Sequence, residues 1–212
     1  EAAAHRLRYL TMTRPLAATD LLPLEQYARE RAAIRAHMIG YRAARRLEVG
    51  PACTWNFEDR ETVRYQVQEM LRTERIFEPE GVAAELAAYN PLIPDGHNLK
   101  ATLLLEYPDP LERAQRLAEL RGIEHRCWLR VAGFDASYAV ADEDIERSNE
   151  SKTSAVHFLR FELTPEMIAA LRGGAGLAAG IDLPSYTHRL DPVPTPLRAA
   201  LLADLAGAPA AQ

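Results

Sequence analysis

The sequence predicts an α+β domain, with a mostly antiparallel sheet of about five strands and helices packed on one side of the sheet. Helical and strand patterns alternate irregularly along the 212 residues. Two predicted strands, residues 127–131 and 136–140, adjoin around Gly133 as a hairpin. A doubly wound parallel sheet requires regular strand–helix alternation, and the hairpin breaks it.

Two kinds of hydrophobic periodicity place the individual elements. Apolar residues recur at helical spacing first in residues 20–44, and less extensively in later segments. Strict alternation is clearest at residues 99–107 and 153–163, which therefore predict strands. The remaining predicted helices are 60–76, 80–89, 109–122, 164–172 and 195–205, and the remaining predicted strand pair lies within 47–57, broken at Gly50-Pro51.

The chain is predicted to have three parts. Residues 1–19 form an N-terminal extension, and residues 20–172 form a single α+β domain. Residues 173–212 form a tail rich in alanine, glycine and proline, with one terminal helix. The boundary is placed at Gly173-Gly174, where the composition changes.

Composition and charge exclude several classes of function. The formal net charge of −5 implies no basic face, so nucleic acid is not expected as a partner. No apolar run reaches the roughly 18–20 residues of a membrane span, and the first residues lack the apolar core of a signal peptide. The two cysteines, Cys53 and Cys127, are far apart in sequence and suit a reducing cytoplasm.

The standard catalytic and cofactor fingerprints are also missing, including glycine-rich nucleotide loops and the HExxH zinc motif. No intrinsic cofactor is therefore expected, although metal and haem stay open. His157 is the most suggestive histidine, because it alternates with Leu159 and Phe161 on its predicted strand and should be buried. It is either a core histidine bonded to a backbone carbonyl or a metal or acid–base group. A metal site would have to assemble His157 with His97 and Glu106 from distant segments.

The predicted helix 60–76 supplies further candidates. Its apolar stripe continues into Glu74, which we expect to be buried, and Glu69 lies one helical turn from Arg72. Glu69 and Glu74 therefore join His157 as candidate catalytic residues. Arg72, Lys152 and His97 are candidate ligand-binding residues. We expect Lys152, His157, Glu69, Arg72 and Glu74 to share one polar region, which is either a ligand site or a buried hydrogen-bond network.

Five stretches together resemble the bacterial family known as domain of unknown function 3501. They are residues 57–63 (FEDRETV), 66–72 (QVQEMLR), 74–76 (ERI), 89–94 (YNPLIP) and 152–161 (KTSAVHFLRF). The resemblance covers roughly residues 21–172 and names no catalytic residue.

Members of that family tend to be encoded beside a rubrerythrin-like protein and an iron–sulfur oxidoreductase. The resemblance therefore implies an accessory or binding subunit of such a system, with a role in oxidative stress or electron transfer. Having no cysteine cluster, the chain cannot hold an iron–sulfur cluster by itself. The alternative is a metal- or haem-dependent enzyme with a site built around His157 and Glu74.

Overall fold

The computed structural model describes residues 13–149 and 151–205. Six α-helices lie within these residues, together with short 3₁₀ turns at Ala18–Asp20, Asn90–Leu92 and Ile123–Arg126. The helices are α1 (Leu24–Ala43), α2 (Arg60–Glu74), α3 (Pro79–Tyr89), α4 (Pro110–Glu119), α5 (Pro165–Arg172) and α6 (Thr195–Asp204). None of them is both long and apolar enough to cross a membrane.

The strands form two antiparallel sheets. Sheet A has five strands in the order β1-β2-β3-β7-β6, and sheet B has four in the order β5-β4-β8-β9. The strands are β1 (Arg46–Glu48), β2 (Cys53–Glu58), β3 (Asn98–Leu105), β4 (Cys127–Val131), β5 (Ser137–Tyr138), β6 (Val140–Ala141), β7 (Val156–Glu162), β8 (Leu177–Leu183) and β9 (Tyr186–Leu190). The predicted α+β class and the antiparallel five-stranded sheet are confirmed.

The main hydrophobic core is shared by both sheets. Alternate residues of β2, β3 and β7 place one buried face of sheet A against it, with Trp55 opposite Leu103 and Leu103 opposite His157 in register. Sheet B contributes its own buried face, including Leu129 and Ile181. Helices α4, α5 and α6 add their apolar sides to the same core. Burial of these aliphatic and aromatic side chains is the principal stabilising term of the fold.

A second apolar cluster joins the first three helices. Val63, Val67 and Leu71 form the buried stripe of α2, and Leu86 of α3 and Leu16 pack against it. Helix α2 begins at Asp59, whose side chain accepts a hydrogen bond from the backbone N–H of Thr62, the usual N-cap interaction.

Polar contacts fix α2 and α6 to sheet A. The buried carboxylate of Glu58 accepts hydrogen bonds from the hydroxyls of Thr62, at 2.6 Å, and Thr102, at 2.8 Å. The buried guanidinium of Arg45 pairs with Asp204 at the end of α6, and its Nη1 lies 3.1 Å from Asp59 Oδ2. The buried Arg45 guanidinium therefore lies between two carboxylates, one at the N-terminal end of α2 and one at the C-terminal end of α6.

The structure differs from the sequence-based division at both ends. The segment after Arg172, interpreted as a tail with a terminal helix, contains β8 and β9 as well as that helix, α6, and its residues Leu177, Ile181, Leu197 and Leu201 belong to the main core. The first twelve residues of the predicted extension lie outside the described residues. Leu16, which the prediction also assigns to the extension, is only 4% exposed and packs in the second cluster.

Candidate functional site

His157 lies in the middle of β7, on the buried face of sheet A. Its neighbours at alternate positions, Leu159 and Phe161, are core residues, and its own side chain is fully buried. The prediction that His157 is buried is confirmed. Both ring nitrogens have polar neighbours, as a buried imidazole requires.

Asp142 holds one side of the imidazole. It follows β6, and its backbone adopts the left-handed region at φ 51°. One carboxylate oxygen lies 2.6 Å from His157 Nδ1, and the other accepts the backbone N–H of Phe158 at 3.0 Å. Asp142 therefore fixes the imidazole orientation and completes hydrogen bonding along the edge of β7, beyond the end of the short strand β6.

Glu124 and two hydroxyl groups face the other ring nitrogen. Thr153 Oγ1 lies 2.8 Å from His157 Nε2 and 3.3 Å from Glu124 Oε2. Ser148 Oγ donates to Glu124 Oε1 at 2.5 Å and lies 2.9 Å from Thr153 Oγ1. Glu124 Oε2 itself is 3.9 Å from Nε2. The 3₁₀ turn Ile123–Arg126 presents this carboxylate, after the left-handed Gly122.

The three titratable groups form a compact cluster. One ligand atom from each of Glu124, Asp142 and His157 can be chosen so that all three atoms lie within 4.8 Å of one another. We refer to these three residues as the His157 cluster. Only Asp142 has a guanidinium neighbour, Arg147, at 3.3 Å. Among the described residues, the groups that pair with Glu124 within 4.0 Å are imidazoles, those of His157 and His125.

The charge of this arrangement must be balanced. A buried carboxylate with no guanidinium or ammonium partner is costly to hold in its ionised form. A doubly protonated His157 between two carboxylates is one state that would satisfy it, and a bound cation that shares Nε2 and Glu124 is another. The carbonyl oxygen of Ser154, 3.1 Å from Nε2, is compatible with either, since it could accept a hydrogen bond from Nε2–H or coordinate a cation.

The candidate residues of α2 lie elsewhere in the fold. Glu69 accepts two hydrogen bonds from Arg31, both at 2.8 Å, and one from the Tyr27 hydroxyl at 2.6 Å. These contacts join α2 to α1 and lower the pKa of Glu69, chiefly through Arg31. Arg72 is exposed and adds a smaller electrostatic contribution to the same lowering. Glu69 and Arg72 are therefore neighbours, as their spacing predicts.

The other candidates are dispersed over the surface. Glu74 is exposed, so the prediction that it is buried is wrong. Helix α2 ends at this residue, and the left-handed Arg75 that follows carries the chain away from the apolar stripe. Lys152 and His97 are also exposed. Glu106 accepts a hydrogen bond from the Thr54 hydroxyl at 2.5 Å and lies 3.4 Å from Arg46, and it forms no hydrogen bond or ion pair with the His157 cluster.

Sequence reasoning missed the two carboxylates that accompany His157. Asp142 lies in the acidic run of residues 142–147, which the composition presents as a solvated turn. Glu124 lies in a short turn with no periodicity of its own. The available signal was indirect: Ile123 and Cys127, both fully buried, flank Glu124 and carry that turn into the core.

The fold and the His157 cluster define an α+β protein of two antiparallel sheets, with a buried histidine between two carboxylates. The family described as protein of unknown function DUF3501 matches residues 15–205, and the chain belongs to this family. It is also similar to a solved crystal structure from Burkholderia pseudomallei, described as a novel protein of unknown function. The two chains are 46% identical, the match covers 91% of this chain and 100% of that one, and the TM-score is 0.86. No curated protein matches the chain.

Proposed function

We propose that this protein is a metal-binding accessory protein, in which His157 and Glu124 hold a divalent first-row transition metal ion. The observation that carries the proposal is the buried carboxylate of Glu124, which faces His157 Nε2 at 3.9 Å and has no guanidinium or ammonium partner within 4.0 Å in the part of the chain that the structure describes. A divalent cation between these two groups would supply the missing positive charge.

The distances within the cluster support such an ion. Two ligand atoms about 2.1 Å from one metal, at tetrahedral or octahedral angles, are about 3.0–3.4 Å apart. The separations among His157 Nε2, Thr153 Oγ1 and Glu124 Oε2 are 2.8, 3.3 and 3.9 Å, which bracket that range. A shift of Glu124 by about half an ångström would bring both primary ligands to coordination distance.

In this proposal Asp142 contacts the imidazole of His157 and not the ion itself. Its hydrogen bond to Nδ1 would hold the proton on that nitrogen and leave the Nε2 lone pair for the ion. Carboxylate–histidine–metal arrangements of this kind orient the imidazole and raise its basicity. One imidazole with oxygen ligands suits Zn²⁺, Fe²⁺ or Mn²⁺ better than metals that prefer thiolates.

The accessory role extends the resemblance described above. A metal-binding subunit beside an iron–sulfur oxidoreductase and a rubrerythrin-like protein would belong to an oxidative-stress or electron-transfer system. The alternative is a metal- or haem-dependent enzyme centred on His157. Glu74 is exposed, so it cannot belong to a buried site around His157 as that alternative requires. The complete burial of His157 favours an ion over a haem.

Elemental analysis of the untagged protein, followed by anaerobic titration with Zn²⁺, Fe²⁺ and Mn²⁺, tests the proposal. We expect one ion per chain, and a rise in the unfolding free energy of about 2.7 kcal/mol when free metal is about a hundred times Kd. Asp142→Asn, at the partner of the imidazole, should weaken binding about 10–100-fold. His157→Gln and Glu124→Gln, at the primary ligands, should each weaken it more than Asp142→Asn does.

His97→Gln and Glu106→Gln are the matched controls, because both residues belong to the sequence-based ligand set and neither contacts the cluster. Both variants should bind metal as the parent does. If the parent protein binds no metal and nuclear magnetic resonance finds both nitrogens of His157 protonated at neutral pH, the cluster is a structural ion-pair network. The accessory role is tested separately, by co-purification of metal-loaded protein with the iron–sulfur oxidoreductase.

A further inference from the structure

We propose a second site: a surface cleft on the other face of sheet A that binds a small organic carboxylate with an apolar body. The cleft encloses about 500 Å³ of space, part of which is open to bulk solvent. Ala88, Pro91, Leu92 and Phe158 supply apolar walls, Lys100 and Arg160 supply positive charge, and Glu143 and Asp144 supply negative charge. The inference is independent of the metal proposal, because Phe158 and Arg160 point to the face of β7 opposite His157.

The two cations are direct cross-strand neighbours. Lys100 of β3 is in register with Arg160 of β7, and both are half-buried. Like charges at such positions destabilise a sheet unless an anion lies near them. Burial is the main cause that lowers the pKa of Lys100; the Asp95 carboxylate acts in the opposite direction, and the neighbouring Arg160 lowers the pKa further. The Lys100 ammonium donates to the backbone carbonyl of Pro91 at 2.5 Å, and no carboxylate of the described residues lies within 4.0 Å of it.

The Glu143 carboxylate occupies the position that we propose for the anionic group of the ligand. Glu143 receives two hydrogen bonds from one edge of the Arg160 guanidinium, from Nε at 2.7 Å and from Nη2 at 2.8 Å. The Nη1 group at the other edge of the guanidinium donates a hydrogen bond to Glu162, which lies on the same strand. This bidentate geometry is the one in which arginine recognises carboxylates generally.

Glu143 can be displaced at low cost. Its side chain is 52% exposed and lies on the loop after β6, and exposed ion pairs of this kind contribute little to stability. A ligand carboxylate that replaced it on Arg160 could also pair with the Lys100 ammonium, which no carboxylate of the described residues approaches within 4.0 Å. The apolar body of the ligand would then lie against Phe158 and Leu92.

Calorimetric titration of the full chain with 2-naphthoate, with the neutral 2-naphthamide as a comparison ligand, tests this site. We expect saturable binding of the carboxylate and at least about tenfold weaker binding of the amide. Lys100→Met should weaken 2-naphthoate binding at least about tenfold. Glu143→Gln should strengthen it about threefold or more, because the competing carboxylate becomes neutral.

Two control variants separate the cleft from general charge effects. Lys152→Met removes the only other lysine, which is exposed, and Glu146→Gln removes a charge from the same loop outside the cleft. Both should bind 2-naphthoate as the parent does, and all variants should melt cooperatively. The proposal is overturned if the amide binds as tightly as the carboxylate, if Lys100→Met leaves the affinity unchanged, or if 2-naphthoate does not bind up to about 5 mM.

Discussion

Two glycines of this protein, Gly180 and Gly40, lie in opposite surroundings. Gly180 of β8 lies directly opposite Trp128 of β4, whose indole packs over it. Gly40 lies on the exposed side of α1 with no atom near the position of an added Cβ.

The same substitution should therefore have opposite effects at these two positions. In Gly180→Ala the new Cβ would lie 2.3 Å from Trp128 Cζ2 and 2.8 Å from the backbone oxygen of His188. We therefore expect this substitution to lower the free energy of unfolding by about 1–3 kcal/mol. Gly40→Ala should raise the free energy of unfolding by about 0.5–1 kcal/mol, because alanine favours the helix more than glycine does. Chemical denaturation of both variants measures the difference. Equal changes at the two positions would contradict the packing described for Gly180.

The elements are held together by polar contacts as well as by the core, and the end of α6 is the main example. Burial raises the pKa of Asp204 to about 7, although Arg45 acts in the opposite direction. The other charged neighbour is Asp59, which also pairs with Arg45 and accepts from the Tyr41 hydroxyl. Two carboxylates thus share one guanidinium, which favours retention of a proton on Asp204.

This arrangement predicts a specific pH dependence of stability. Because the folded pKa lies above the unfolded value of 3.8, the group stabilises the fold fully at low pH, and that contribution falls as pH rises through about 7. Asp204→Asn removes the titration. Between about pH 5 and about pH 8 the parent should therefore lose about 2 kcal/mol of unfolding free energy relative to Asp204→Asn.

Urea denaturation at several pH values measures this difference. Asp135→Asn, at an exposed aspartate, is the control, and its difference from the parent should not change over the same range. A constant difference between the parent and Asp204→Asn would show that Asp204 is ionised throughout.

At the scale of the whole molecule, strongly periodic segments were predictable and segments shaped by packing were not. The sequence predicts α2 and β7 to within a few residues, because α2 has a clear N-cap and β7 strict alternation. It does not predict β8, because the centre of that strand is Ala178-Ala179-Gly180, a run of small residues typical of a linker. That strand needs a small residue because Trp128 covers it, and the requirement is visible only in three dimensions.

The candidate site was predictable to the same limited extent. Alternation placed His157 in the core, since each position on a half-buried strand faces a definite side. Its partners come from turns, where side-chain direction depends on long-range packing rather than on local periodicity. Glu124 and Asp142 are 33 and 15 residues from His157 in sequence, and no local pattern connects them.

The position of β8 leads to a prediction about the minimal folding unit. A chain that ends at Arg172 would lose β8, the central partner of β4, together with β9 and α6. Leu177, Ile181, Leu197 and Leu201 would leave the main core. We expect this fragment to show no cooperative thermal transition under conditions in which the full chain melts cooperatively. A fragment that melted with a sharp transition would restore the original boundary at residue 173.

The short segment of residues 137–141 belongs to both sheets. Its first part, β5, pairs with β4 of sheet B, its last part, β6, pairs with β7 of sheet A, and between them Ala139 donates its amide to the Cys127 carbonyl. Neither sheet can open along this edge without disturbing the backbone that borders the other. Protection against amide hydrogen exchange should therefore be of similar magnitude in β4 and β7, and limited by one concerted opening rather than by two independent ones.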